Sequence, residues 1–432
     1  MNRLHTGVFY MKYIGGNMMF YYRLFNKTLV SRKKYRQLEE IPEAEAASDT
    51  GRIFVLDSSP PGETRRSFCA SQPDLVYALK EGLDMLLLPE LKHSNLPDWI
   101  IKAVSGNNVT RINTEYPNWQ DVLLYETPAK WRINVAGLGD VGGTLVSGLR
   151  LLGGGSVSHI GIFDIDPNKV RRWEYEANQI LDPSCGNAHP DVVSISEKQL
   201  FDCDMFIFCI TAGVPPLSEN PGDVRRAQYE GNSKIIREYA QKARKCGYKG
   251  IFAVVSDPVD MLCKAAFGFS NTDDDGRLDF NGLAPEQIRG YGLGVMHARA
   301  AYFAGLDRET AHYIKEGRAF GPHGEGLVIA DSIENYNDRL SRYLTEKTKT
   351  ANLEVRKLGF KPYIAPALSS GALSILSTIR GQWHYSATFL GGVYMGARNR
   401  LLASGIELER LPVPEELFLR LKNTYESLRK MP

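Results

Sequence analysis

Residues 133–166 read INVAGLGDVGGTLVSGLRLLGGGSVSHIGIFDID, and the order of residue types in this stretch decides the fold. An apolar run, Ile133–Leu138, reads as a strand, then come a glycine turn, a helical stretch and a second apolar run, His159–Ile165. Gly137 permits the tight turn, Gly139 lets a backbone approach a pyrophosphate, and Gly142 lets the helix close on the strand. The amino end of that helix offers unpaired N–H groups and a partial positive charge to phosphates. A lone GxGxxG is weak, because glycine clusters often mark nothing but turns. Here Asp164 ends the second run, where a carboxylate accepts hydrogen bonds from an adenosine ribose and repels the 2′-phosphate of NADP. The stretch predicts a Rossmann unit that binds NAD, with Gly137, Leu138, Gly139, Asp140, Val141, Gly142 and Asp164 as its cofactor-binding residues.

Working outward, Met205–Thr211 and Gly250–Ser256 are further near-continuous apolar runs, separated by longer helical stretches. That alternation marks a parallel sheet with both faces covered. The fold class is therefore α/β. Three domains are expected: a small N-terminal α/β extension over 1–130, the Rossmann domain over 131–290, and an α+β domain over 291–432.

The N-terminal part has no catalytic signature. Gly7–Phe25 reads as a β-hairpin turning at Gly15-Gly16-Asn17, since glycine and asparagine supply the positive φ of a tight turn. It is interrupted by Lys12 and Arg23, too polar for a membrane span, and it lacks the order of a signal peptide. Arg52–Asp57 and Val109–Asn113 read as strands, and Trp99–Val104 as a helix. Gln72–Leu91 carries Leu75, Leu79, Leu83, Leu86 and Leu87 at helical spacing.

Composition sets further bounds. The 432 residues carry a net charge of +2, with 24% charged and 43% hydrophobic residues. Such a balance gives no strong field for nucleic acid or an anionic membrane. Six cysteines show neither a CxxC pair nor zinc spacing, and the histidines are scattered, so no metal site is expected. A reduced, cytoplasmic protein fits this cysteine usage, with Cys209 read as a buried thiol inside MFIFCI.

From residue 131 to the end the chain resembles the lactate/malate dehydrogenase family. GLGDVG, FDIDPNK, ITAGVPP (Ile210–Pro216), VVSDPVDML (Val254–Leu262), GYGLGVMHAR (Gly290–Arg299) and FGPHGEG (Phe320–Gly326) follow the family's motif order. The ending, YMGARNRLLASGIELERL, is like its final hairpin. The resemblance implies cofactor contacts also from Thr211, Ala212, Gly213 and Ser256. It makes His323 the catalytic proton-transfer residue, whose pKa near working pH suits the task; the alternative is a packed loop histidine. Arg299 matches the arginine that grips a substrate carboxylate with its planar fork, against the alternative of a surface arginine. Arg225, with Arg226 beside it, matches the loop arginine that polarises the substrate carbonyl, a catalytic and substrate-binding role.

The departures from the pattern concern the acid. The family places an aspartate three residues before the helix arginine, to orient the histidine; here that residue is Met296. The family asparagine of SNPVD is here Asp257, which either replaces the lost acid, as a catalytic and substrate-binding residue, or merely ends a strand beside Pro258. A carboxylate within hydrogen-bond reach of His323 is required for the exchange. His297 and Glu325 are weaker substitutes: one neighbours Met296 on a different helix face, and the other reads as a solvated loop residue. Ile364 falls near a pocket-shaping position. The implied function is an NAD-dependent oxidoreductase of a 2-hydroxy acid and its 2-oxo partner, in a homo-oligomer, dimer or tetramer, with no nucleic-acid or membrane partner. The other reading is a catalytically weak or inactive NAD-binding protein whose N-terminal domain binds a regulator or partner.

Overall fold

A computed structural model describes residues 19–431, apart from 78–79, 90–94, 185–187 and 214–220 and the side chains of 221–225. The N-terminal strands are β1 (Phe20–Leu24), β2 (Lys27–Ser31), β3 (Glu39–Glu40), β4 (Ile53–Asp57), β5 (Ser67–Cys69) and β6 (Val109–Asn113). They form one sheet in the order β3-β1-β2-β4-β6-β5, with the helix Asp98–Ser105 crossing between β5 and β6 as expected. The described residues hold a hairpin that the sequence reading did not name. Phe20–Leu24 is the outgoing arm, and the chain turns at Phe25 and Asn26, whose φ values are +50° and +57°. Positive φ at both central residues gives the twist that joins two adjacent strands. The expected turn at Gly15-Gly16-Asn17 lies outside the described residues.

The periodic leucines of Gln72–Leu91 do not make one helix either. Two short 3₁₀ turns stand there, Pro73–Val76 and Leu83–Leu86, with Gly82 at the start of the second. Tertiary contacts outweigh the local period. Glu81 is drawn inside, where its carboxylate accepts from the Arg65 side chain at 2.7 Å, and Leu83, Met85 and Leu86 enter the core one by one.

The Rossmann strands are β7 (Trp131–Ala136), β8 (Val157–Phe163), β9 (Asp191–Ser194), β10 (Met205–Phe208), β11 (Ile251–Val254) and β12 (Ile288–Gly290). All pair in parallel, in the order β12-β11-β10-β7-β8-β9. The order reverses between β7 and β10, so their carboxyl ends open the crevice where such sheets take ligands. β13 (Arg318–Phe320) and β14 (Val328–Ala330) form a small ribbon, and β15 (His384–Leu390), β16 (Val393–Leu402) and β17 (Gly405–Leu408) run antiparallel. β15 pairs with β12 at Gly290 and Ala387, making one nine-stranded sheet. The boundary expected at residue 290 thus falls within a continuous sheet.

The boundary expected at residue 130 is also crossed. One hydrophobic cluster joins Tyr21, Val30, Val55 and Phe68 to Val328, Met395, Leu408 and the helix Glu415–Lys430 through Leu417, Leu421 and Leu428. Polar contacts reinforce this seam: Thr110 Oγ1 donates to the Ser404 carbonyl at 2.9 Å, and Arg66 Nε to Glu286 at 3.0 Å. The N-terminal sheet is packed into the rest of the chain. Among the described residues, no helix is long and apolar enough to cross a membrane, and no group of three or more ligand-type side chains could hold a metal.

Candidate active site

The glycine turn sits at the carboxyl end of β7, and its three glycines serve three distinct geometric needs. Gly137 has φ +95°, and a Cβ there would lie 2.8 Å from the Cys209 backbone. A Cβ on Gly142 would lie 1.9 Å from the Gly137 carbonyl oxygen, so helix and turn could not close. At Gly139 a Cβ would meet no protein atom within 4 Å. The chain's own packing therefore does not need glycine at 139, whereas an approaching pyrophosphate does.

Helix Asp140–Leu152 begins here with Gly139 as its N-cap, and no side chain caps it. Its amino end is left to an anion. Asp164, at the end of β8, accepts from the Leu138 amide at 2.8 Å and from the Asp166 amide at 3.0 Å. The acid is thereby held over the turn. Asp140 is exposed and paired with Lys361 at 3.0 Å, and Val141 is half-buried beside it. Cys209 is half-buried against Gly142, and burial pushes its thiol up to about 12. These residues fit the NAD expected from the sequence.

The ends of β10 and β11 are tied to each other. Thr211, Ala212 and Gly213 follow β10 on the exposed rim, Gly213 at φ +118°. The Ala212 amide donates to Asn232 Oδ1 at 2.8 Å, and Asn232 Nδ2 donates to the Asp257 carbonyl at 2.7 Å. Asn232 is fully buried. It sets the spacing between the cofactor rim and Asp257, a role not read from the sequence. Ser256 is buried, and its hydroxyl donates to the Ile210 carbonyl at 2.7 Å, so this side chain braces the rim.

His323 and Asp257 meet. The carboxylate Oδ1 stands 3.1 Å from His323 Nδ1, with both side chains partly open to the crevice. The histidine loop is held by Gly321, Gly324 and Gly326, with φ of +89°, +130° and +84°. Arg299 approaches from the helix Leu293–Gly305. Burial lowers its pKa, and the nearby Asp257 charge acts in the opposite direction. Met296 is 2% exposed, packed among Leu293, Tyr313, Ile329 and Leu344, with its sulfur 3.8 Å from Arg299 Nη1. Ser370 anchors that helix: its hydroxyl accepts from the Val295 amide at 2.8 Å and donates to the Gly292 carbonyl at 2.7 Å. Ser370 lies in a π-helical stretch, Pro366–Leu373, and no motif in the sequence points to it.

The remaining expected residues stand apart. His297 points away, bonded to the Tyr313 hydroxyl at 2.9 Å and stacked on Tyr385, and burial lowers it to about 4. Glu325 is exposed and paired with Lys349 at 2.9 Å. Ile364 is exposed. Arg225 lies in the helix Pro221–Lys245, but its side chain is outside the described residues, and Arg226 is exposed and paired with Glu230 at 3.2 Å.

With this geometry in place, comparison with known proteins identifies its setting. Residues 131–276 match the family model described as lactate/malate dehydrogenase, NAD binding domain. The L-lactate dehydrogenase of Shouchella clausii (strain KSM-K16) is 27% identical over 322 residues, covering 69% of this chain and 92% of its own. The minor L-lactate dehydrogenase of Enterococcus mundtii superposes with a TM-score of 0.55 at 17% identity, over 70% of this chain and 98% of its own. The malate dehydrogenase of Archaeoglobus fulgidus, solved in complex with NADH, gives 0.53 at 18% identity, over 69% and 98%. Ordered motifs, strand order and these matches agree: residues 131–276 match the NAD-binding domain of lactate/malate dehydrogenases, and the chain is similar in fold to such enzymes.

Proposed function

We propose that this protein is an NAD-dependent oxidoreductase that interconverts a 2-hydroxy acid and its 2-oxo partner. The contact between His323 and Asp257, 3.1 Å, carries the reading. A carboxylate on Nδ1 keeps the proton on that nitrogen and turns the Nε2 lone pair towards substrate. His323 then takes the hydroxyl proton as the carbonyl forms, or returns it in the reverse direction. Bound NAD supplies the hydride acceptor. Arg299 holds the substrate carboxylate, and Arg225 would bring positive charge to the carbonyl oxygen. Asp257 thus fills the office that the family gives to the acid at position 296. Its negative charge beside the pocket favours a monocarboxylate over a dicarboxylate, and tolerates a substrate amine or hydroxyl. The family resemblance supports a dimer or tetramer, which sedimentation would measure.

A screen of 2-oxo acids with NADH, run as a pH series on the wild type and His323→Ala, tests the reading. Turnover of a monocarboxylate that disappears in the variant supports it; a clear preference for oxaloacetate overturns the charge argument. The second reading, an NAD-binding protein with little catalysis, is favoured by Met296. Tight NADH binding without turnover of any 2-oxo acid would select it.

A further inference from the structure

A cavity of about 1090 Å³ lies under the amino ends of β7, β10, β11 and β12, where Arg132, Asp204, Gly250 and Gln287 line it. This is the end of the sheet opposite the glycine turn and His323. The N-terminal sheet closes one side and the β16–β17 turn another. Its size reaches the upper edge of small-molecule sites, roughly 300–1,000 Å³.

The wall is apolar where it is accessible. Leu124 is 60% exposed and Tyr125 37% exposed, facing Phe201 and Leu402 across the space. Large apolar side chains left open inside a concavity mark a place for an apolar body.

Charge points to the other half of the ligand. Four lining cations are already matched: Arg66 by Glu286, Arg132 by Asp202 and Asp204, Lys242 by Glu197, and Lys249 by Asp121. These pairs engage every lining carboxylate except Glu126. Arg52, Lys198 and Lys245 form no ion pair among the described residues, so three unmatched cations face one unmatched acid. Arg52 is half-buried, with the Phe54 ring centroid 5.5 Å from its guanidinium carbon. Glu126, itself exposed, is the one carboxylate whose charge reaches Arg52, and it forms no ion pair with it among the described residues. A sheltered guanidinium fork so placed is a ready receptor for an anionic head.

We propose that this cavity binds a small organic anion, its charged head on Arg52 and its apolar body on Leu124, Tyr125 and Phe201. The test uses anilinonaphthalene sulfonate as the probe, with N-phenylnaphthylamine as its uncharged counterpart. Both are titrated by fluorescence into the full-length chain saturated with NADH, which occupies the glycine-turn site. Expected is saturable one-to-one binding of the sulfonate, weakened about tenfold or more by Arg52→Gln, with the neutral amine unaffected. Ala403→Trp, on the exposed β16–β17 turn, should block both probes while leaving turnover intact. Absence of saturable binding, displacement by NADH, or indifference to both substitutions overturns the proposal. Circular dichroism checks each variant's fold, and Lys245→Gln at the rim repeats the charge test should Arg52→Gln unfold.

Discussion

The two ends of one parallel sheet differ in how they are built. At the carboxyl end, β7, β8, β10 and β11 each deliver a short local device: a glycine turn, an aspartate cap, a braced rim and the acid that meets His323. At the amino end, the cavity is assembled from Arg52, Tyr125, Arg132, Phe201 and Leu402, drawn from distant parts of the chain. A site made of local strand–turn–helix units leaves motifs in a sequence. A site made where separate segments meet leaves none. Chemistry at the first end and sheltered charge at the second should therefore respond separately to substitution.

The strongest test of that separation is His323→Ala. It should lower kcat for the best 2-oxo acid by about a thousandfold or more, with NADH affinity unchanged in fluorescence titration; general acid–base groups contribute roughly 10²–10⁴. Survival of turnover would move the chemistry elsewhere. Asp257→Asn should cost about a hundredfold in kcat, because an amide can hold the ring but not stabilise its charged form. A shifted pH–rate profile distinguishes this from loss of packing.

Within the carboxyl end, two alanines sharpen the comparison between ligand and fold. Gly139→Ala should weaken NADH by about tenfold or more with the melting temperature intact, since its Cβ meets no protein atom within 4 Å. Gly142→Ala should lower the melting temperature itself, by overpacking worth roughly 1–3 kcal/mol, because its Cβ would lie 1.9 Å from a carbonyl oxygen. Equal effects at both positions would remove the distinction.

One further expected effect belongs to neither end. His297 and His384 are lowered by burial to about 4 and about 3, whereas unfolded imidazoles titrate near about 6.5. Below about 6.5 the unfolded chain binds more protons, so stability falls as pH drops from about 6.5 towards 4. The loss should reach the order of a few kcal/mol near pH 4, measured as melting temperature across that range. His384→Gln should flatten the slope, and a slope confined to pH above 7 would exclude this cause.

Residues 133–166 determined by themselves that a Rossmann unit forms, and where its glycine turn and Asp164 would stand. Strand period, turn residues and helix start all act within a few residues, so their meaning survives without the rest of the fold. The ordered motifs likewise named His323, Arg299 and the altered acid position. Tertiary structure decided which carboxylate reaches His323, because Asp257 and His323 are 66 residues apart and meet only when the end of β11 and the glycine-held loop pack together. It also decided that Asn232 spaces the rim, that Ser370 anchors the arginine helix, and that Leu75, Leu83 and Leu86 enter the core separately. Above all it merged the N-terminal sheet with the C-terminal helix. Burial of apolar surface has no direction along the chain, and so no local pattern announces which distant segment will provide the other half of a core.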